Sequence, residues 1–181
     1  MPDMPVALTT YDPSWPERFA EQESALATLL APWLAGPVQH IGSTAVPGMS
    51  AKPVIDILAP VASLAEATVV VPVLSQSGWL FWADDPCRDY RLWFLRPSPQ
   101  SRTHHLQVIQ HDDPHALAVV AFRDALRADP TLRREYAELK EQLSRQHQDN
   151  RNAYTNAKDA FVAQVIAAAG LEVPVRYALP E

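Results

Sequence analysis

The chain holds a single cysteine, Cys87, among 181 residues. That excludes an internal disulfide framework and a multi-cysteine zinc site, and it points to a reducing compartment. Positive charge is also scarce. The formal net charge is -6, which argues against a general electrostatic grip on nucleic acid but leaves room for a local basic pocket. No apolar run reaches the about 20 residues that a membrane span needs. "TVVVPVL" is too short, and "AFVAQVIAAAG" is broken by Gln164 and ends at a glycine. The start, "MPDMPVALTT", lacks a basic segment followed by an apolar one, so no secretory leader is expected and the chain reads as cytoplasmic, with no membrane partner. The pattern Gly-x-x-x-x-Gly-Lys-Ser/Thr does not occur, so the chain has no kinase P-loop of its own. Its tryptophans, Trp15, Trp33, Trp79, Trp82 and Trp93, do not interleave with a basic stripe, which disfavours a platform for single-stranded nucleic acid.

What is present is an ordinary globular composition, 48% hydrophobic and 20% charged. The pattern divides into a mixed front over about 1–112 and a helical back over about 113–172, read as one domain over 1–172 with a tail at 173–181. "SWPERFAEQESALATLLAPWL" has a helical rhythm through Phe19, Leu26, Leu29 and Leu30, with Ser14 as its expected N-cap. "GPVQHI" and the almost continuously apolar "KPVIDILAPV" read as strands. A helix is expected from Ser63 to Gly78, weakened by Pro72. "WLFWA", "YRLWFLR" and "RTHHLQVIQ" come next as strands. Asp113-Pro114 and Asp129-Pro130 each mark a helix start, and Leu132, Tyr136, Leu139 and Leu143 make a one-face stripe on the second helix. A last helix is expected from about Asp149 to Ala169.

The stretch "QHIGSTAVPGMSAKPVIDIL" concentrates the chemistry. With only five glycines in the chain, Gly42 and Gly48 fall six residues apart. Gly42 allows a sharp turn after a strand, Ser43 and Thr44 can cap the short segment after it, and the N–H groups of such a turn suit an anion or phosphate. The returning strand carries Asp56 in an apolar setting, where a carboxylate needs a metal, a cation or several donors. A tight turn with Asp56 bonded to backbone or Lys52 accounts for the same residues.

The motifs "YDPSWPERF", "HIGSTAVPGMSAKPVIDI", "THHLQV", "AFRDALR", "EYAELK" and "AYTNAKDAF", in order from Tyr11 to Phe161, resemble the GrpB family of the nucleotidyltransferase superfamily. The resemblance implies an α+β fold, a nucleotidyltransferase-like mixed β-sheet flanked by helices with a C-terminal helical extension. It also implies nucleotidyl transfer from a nucleoside triphosphate to a small acceptor, with Mg²⁺ or Mn²⁺. On that pattern Gly42 and Ser43 take phosphates, and Asp56 is the first metal ligand and a catalytic residue. Where the superfamily places a second carboxylate, two residues on, this chain has Leu58. His105 is a further implied metal ligand, but its expected same-face partner is Gln107 where the family usually has a histidine.

Cations complete the expected site. Tyr154, Lys158, Phe161 and Val165 step along one helix face, so Lys158 interrupts an apolar stripe and is expected to meet a phosphate or Asp56, as a second catalytic residue. Lys52 lies four residues before Asp56, about 13 Å away on a straight strand, which favours a phosphate over direct pairing. Thr44, Lys52, Arg123 and Tyr154 join Gly42 and Ser43 as candidate phosphate-binding residues. His40 either lines the site or caps the sheet edge. A non-catalytic reading stays open, in which the pocket binds a nucleotide-like ligand, a protein partner or a second copy of the chain. The family's occurrence fused to dephospho-coenzyme A kinase accords with such an assisting role.

Overall fold

The computed structural model describes residues 6–175 and 177–180. The first five residues of the expected domain, and positions 176 and 181 of the expected tail, lie outside the described residues. One five-stranded mixed sheet in the order β1-β2-β5-β4-β3 forms the centre. Its strands are β1 (Gln39–Ile41), β2 (Ile55–Val61), β3 (Leu80–Phe81), β4 (Arg91–Arg96) and β5 (His104–Gln110). Within this sheet only β2 and β5 run parallel; every other pair is antiparallel. Among the described residues six helices surround the sheet: α1 (Trp15–Leu29), α2 (Val70–Gln76), α3 (Pro114–Ala128), α4 (Pro130–Gln146), α5 (Arg151–Asn156) and α6 (Asp159–Ala168). The fold is α+β.

Alternation along β2 sorts the two faces. Ile55, Ile57, Ala59 and Val61 join Trp15, Leu26, Leu30, Val70, Leu74 and Phe94 in the main core beneath α1 and α2. On the other face Ile41, Leu58 and Ile109 pack against Ala116 of α3. That second apolar patch stops short of Asp56 and His105, which pair across β2 and β5 on the same face. A polar end of the sheet is therefore left next to the C-terminal helices. Pro60 is tolerated in β2 because its backbone faces the side beyond β1, where its carbonyl accepts from Ala35 and no strand asks for an N–H.

Several elements depart from the sequence pattern. The helix expected from Ser63 begins with a 3-10 turn over Glu66–Val69 and becomes α-helical only at Val70. Starting there puts Pro72 in the first turn, where its missing N–H costs nothing. "WLFWA" contributes a strand of only Leu80–Phe81, and "GPVQHI" pairs only over Gln39–Ile41. Ser14 stands at the N-cap of α1 without a side-chain bond into the helix; instead its own N–H donates to Asp12 Oδ1 at 2.9 Å. The last expected helix is two helices, broken at Ala157 and Lys158, where Lys158 N–H bonds the Thr155 carbonyl in a tightened turn. The described residues of the tail from Leu171 have no regular secondary structure.

The two Asp-Pro signals behave as read. Asp113 accepts from His115 N–H, and Asp129 Oδ1 accepts from Thr131 N–H at 2.7 Å and Leu132 N–H at 3.2 Å. Asp129→Ala is expected to cost ~1 kcal/mol in urea unfolding, as N-cap removals do.

Candidate functional site

Gly42 and Asp56 are fitted to each other. Gly42 has φ 71° and ψ -171°, a conformation open essentially only to glycine. A β-carbon there would lie 2.5 Å from Asp56 Oδ2 and 3.1 Å from its Cβ and Cγ. The glycine thus both turns the chain into the 3-10 turn Ser43–Ala45 and makes room for the carboxylate. Gly48, by contrast, has nothing within 4 Å of a built β-carbon among the described residues; its φ of 77° alone accounts for the residue.

Asp56 Oδ1 accepts from His105 Nδ1 at 2.9 Å, the two side chains being 31% and 12% exposed respectively. Withdrawal from water opposes the charge on Asp56. The hydrogen bond and charge of His105, with Lys52 and Arg151, outweigh it and hold the carboxyl below its usual pKa. Burial does the reverse for His105, keeping its pKa below normal despite the carboxylate. The pair is an ionised Asp56 accepting from a neutral ring. The Nε2 atom of His105 is buried with no hydrogen-bond partner among the described residues. Trp93 meets the ring edge-on at 5.2 Å.

Lysine supplies the most telling feature. The sequence has only three lysines, Lys52, Lys140 and Lys158, and all three converge on two tyrosines. Lys52 Nζ lies 5.1 Å and Lys158 Nζ 4.3 Å from the centre of the Tyr154 ring. Lys140 Nζ lies 5.0 Å from the Tyr136 ring and donates to the Ser50 carbonyl. Lys140 is 2% exposed. Burial first, then the charge of Lys158, pushes its pKa down to about 7. Tyr154 is itself buried, which raises its hydroxyl pKa.

The structure brings together Gly42, Ser43, Lys52, Asp56, His105, Tyr154 and Lys158. Between Lys52 and β2 the chain bends at Pro53, closed by Val54 N–H to the Lys52 carbonyl at 2.7 Å, and the charge of Lys52 acts on Asp56. Lys158 stands at the N-cap of α6 instead of in one helical stripe. Two expected phosphate ligands go elsewhere. Thr44 is buried, its hydroxyl 3.0 Å from His40 Nε2 and donating to the Val54 carbonyl. Arg123 Nη1 donates to Gln39 Oε1 and the His40 carbonyl, and its Nε and Nη2 clasp Asp124, so it ties α3 to β1. His40 stacks on Phe19 and is a structural residue, its pKa lowered to about 4 by burial.

Two residues were missed. Lys140 lies four residues after Tyr136 and three before Leu143, inside the stripe already drawn on α4, and its rarity as a lysine was a further signal. Arg151, buried at the start of α5 with its charge on Asp56 and His105, left no sequence signal.

The donors present do not fit a divalent-metal centre. Asp56 Oδ1 and His105 Nδ1 are bonded to each other, and Lys52 and Arg151 add positive charge at the carboxylate. Leu58, buried in the second apolar patch, offers no second carboxylate beside the one free ring nitrogen of His105. Gln107, in place of a second histidine, accepts from Arg91 Nη1 at 3.2 Å, and Arg91 also grips Asp85. Among the described residues no group of three or more His, Cys, Asp or Glu side chains could hold a metal.

The comparisons agree with this architecture. A family model described as GrpB protein matches residues 5–168. A UPF0157 protein of Pseudomonas aeruginosa is 40% identical over 164 residues, covering 87% of this chain and 65% of that protein. A protein of Mycolicibacterium paratuberculosis named dephospho-CoA kinase is 30% identical over 180 residues, covering 87% of this chain and 44% of the kinase. The chain thus spans between under half and about two thirds of these relatives' length. The crystal structure of conserved protein GrpB from Enterococcus faecalis matches with a TM-score of 0.80 at 32% identity, covering 90% of this chain and 96% of that one. The chain belongs to the GrpB family. Among the described residues no helix is long and apolar enough to cross a membrane.

Gly42→Ala is expected to cost about 1–3 kcal/mol in urea unfolding, because it forces a side chain both into positive φ and against Asp56; Gly48→Ala, without the clash, should cost less. Lys140 gives a pH signature. The folded protein releases its proton near pH 7, while the unfolded chain holds it to about pH 10.4. The unfolded state binds more protons in that window, so this group makes stability rise with pH from about 7 toward about 10. Lys140→Met should flatten that rise in urea midpoints taken across the window; parallel slopes for the two proteins would count against the assignment.

Proposed function

We propose that this member of the GrpB family binds a small phosphorylated, nucleotide-like molecule at the polar end of its sheet, with lysine and arginine as the counter-charge. The observation that carries this reading is the gathering of cations at this end of the sheet in a chain of net charge -6: Lys52 and Arg151 act on Asp56, Lys52 and Lys158 share the Tyr154 ring, and Lys140 feels the charge of Lys158. Like charges gathered in a half-buried place repel one another and are desolvated, as the lowered pKa of Lys140 reflects. A bound phosphate relieves both costs. Lys52 and Lys158 are the direct candidates, Ser43 beside the Gly42 turn offers a donor, and Arg151 adds charge from α5. Asp56 and His105 hold the Gly42 turn in place and keep the pocket from being purely cationic, which favours a ligand with hydroxyl or amino groups as well as phosphate.

Metal-assisted nucleotidyl transfer is the second reading. The Gly42–Ser43 turn against Asp56 favours it, and the donor set around Asp56 opposes it. The relative named dephospho-CoA kinase accords with an assisting role for such a domain beside a catalytic one.

Thermal unfolding in the presence of pyrophosphate, ATP or GTP, each with EDTA or with Mg²⁺, separates the two. Binding in EDTA should stabilise the protein by ~2.7 kcal/mol at a hundredfold excess over Kd, and Lys158→Ala should weaken binding more than tenfold, or over ~1.4 kcal/mol. Stabilisation that requires Mg²⁺ and disappears in Asp56→Asn would replace this reading with the metal-assisted one. No stabilisation by any phosphate would end both.

A further inference from the structure

The described residues beyond α6 run without secondary structure, yet they are held by side chains from three separate places. His115 Nε2, at the start of α3, meets the Val175 carbonyl at 2.9 Å. Tyr177 donates its hydroxyl to Asp89 Oδ2, in the loop before β4, at 2.8 Å. On α5, Asn156 Nδ2 donates to the Leu179 carbonyl at 3.0 Å, while Asn156 Oδ1 accepts from Leu179 N–H at 2.9 Å. Asn152 Nδ2 donates to the Pro180 carbonyl at 2.7 Å. The α5 contacts are all to main-chain atoms. Asn156 treats Leu179 as a neighbouring strand would, meeting both its N–H and its C=O.

Apart from the Tyr177 hydroxyl and the buried Pro174, the described side chains of the tail are bound far less. Val173, Val175 and Tyr177 are among the exposed large apolar residues. A segment held by polar bonds with little burial belongs to the easily opened part of a fold. Its attachment point matters because α5 is only six residues long, too short to be stable alone. At about 100° per residue, Asn152 and Asn156 share one side of α5, and Arg151 and Tyr154 lie roughly opposite. Arg151 and Tyr154 are buried on that side, Arg151 acting on Asp56 and the Tyr154 ring lying under Lys52 and Lys158.

We propose that the outer side of α5, with His115, is a site for an extended peptide main chain, filled by the protein's own Val175 and residues 177–180 with Asp89 receiving the Tyr177 hydroxyl, and that its occupancy sets the affinity of the anion site behind α5. Asn152 and Asn156 are positioning residues: they read the peptide and hold the helix that carries Arg151 and Tyr154. The coupling rests on the anion reading of the pocket; the peptide site does not. Linkage makes it reciprocal, so an anion in the pocket also tightens the tail on its groove.

The test uses the full chain carrying Leu179→Pro, which removes the N–H that Asn156 Oδ1 receives and leaves α5 unaltered. Amide exchange of α5 and the pyrophosphate Kd are measured with and without a synthetic peptide of residues 173–180. The variant should show faster exchange in α5 but not in β2 or β5, and a Kd weakened about tenfold, within the range of typical couplings. Added peptide should restore both. Unchanged α5 exchange in the variant, or no response to the peptide, overturns the peptide site. Altered α5 exchange with an unchanged Kd overturns the coupling. If pyrophosphate fails to bind the parent chain, the anion reading falls, and the exchange rates still decide the peptide site.

Discussion

The contact of Asp56 with Gly42 and His105 is the constraint on which the rest of the site depends. A carboxylate on a central strand must be compensated, and here the compensation is a neutral imidazole on the adjoining parallel strand with cations beyond it. The carboxylate occupies the space a β-carbon at residue 42 would need. The first strand can therefore close over it only as a glycine in a conformation other residues avoid. Turn, strand pairing and charge are one unit, and a change in any of them is felt by the others.

Around that unit the protein gathers charge at odds with its own average. An acidic chain with few lysines has placed every one of them at a single location, each over a tyrosine ring. Aromatic faces attract cations and soften the cost of leaving water, so Tyr136 and Tyr154 lower the cost of placing the lysines there. Arginines elsewhere are occupied in structural work: Arg123 fastens α3 to β1, and Arg91 joins Asp85 to Gln107. The division of labour suits the chemistry, since a guanidinium serves fixed bidentate contacts, whereas an ammonium on a flexible stem is a mobile point charge.

The candidate site is assembled from parts distant in the chain, and its shortest element is α5. The sheet that carries Asp56 and His105 is anchored by the main core, whereas Arg151 and Tyr154 depend on a single turn-and-a-half of helix pinned from outside by the C-terminal segment. One half of the candidate site thus rests on the main core and the other on a short helix with few contacts of its own.

Strand and helix identities were legible wherever periodicity was long: the apolar run of β2, the alternation in β5 and the stripe on α4 all appear in the structure. So were the Asp-Pro helix starts, because capping is local chemistry. The sequence alone also determined the turn at Gly42, the isolation of Asp56 and the lack of a second carboxylate at residue 58. Tertiary structure decided the rest. The chain bends at Pro53 between Lys52 and β2, the break at Lys158 divided one expected helix into two, and folding buried Thr44 and Arg123 in structural bonds. Whether Asp56 meets a metal, a phosphate or His105 depends on which strand lies beside it, and strand neighbours are set by long-range packing that no local pattern encodes.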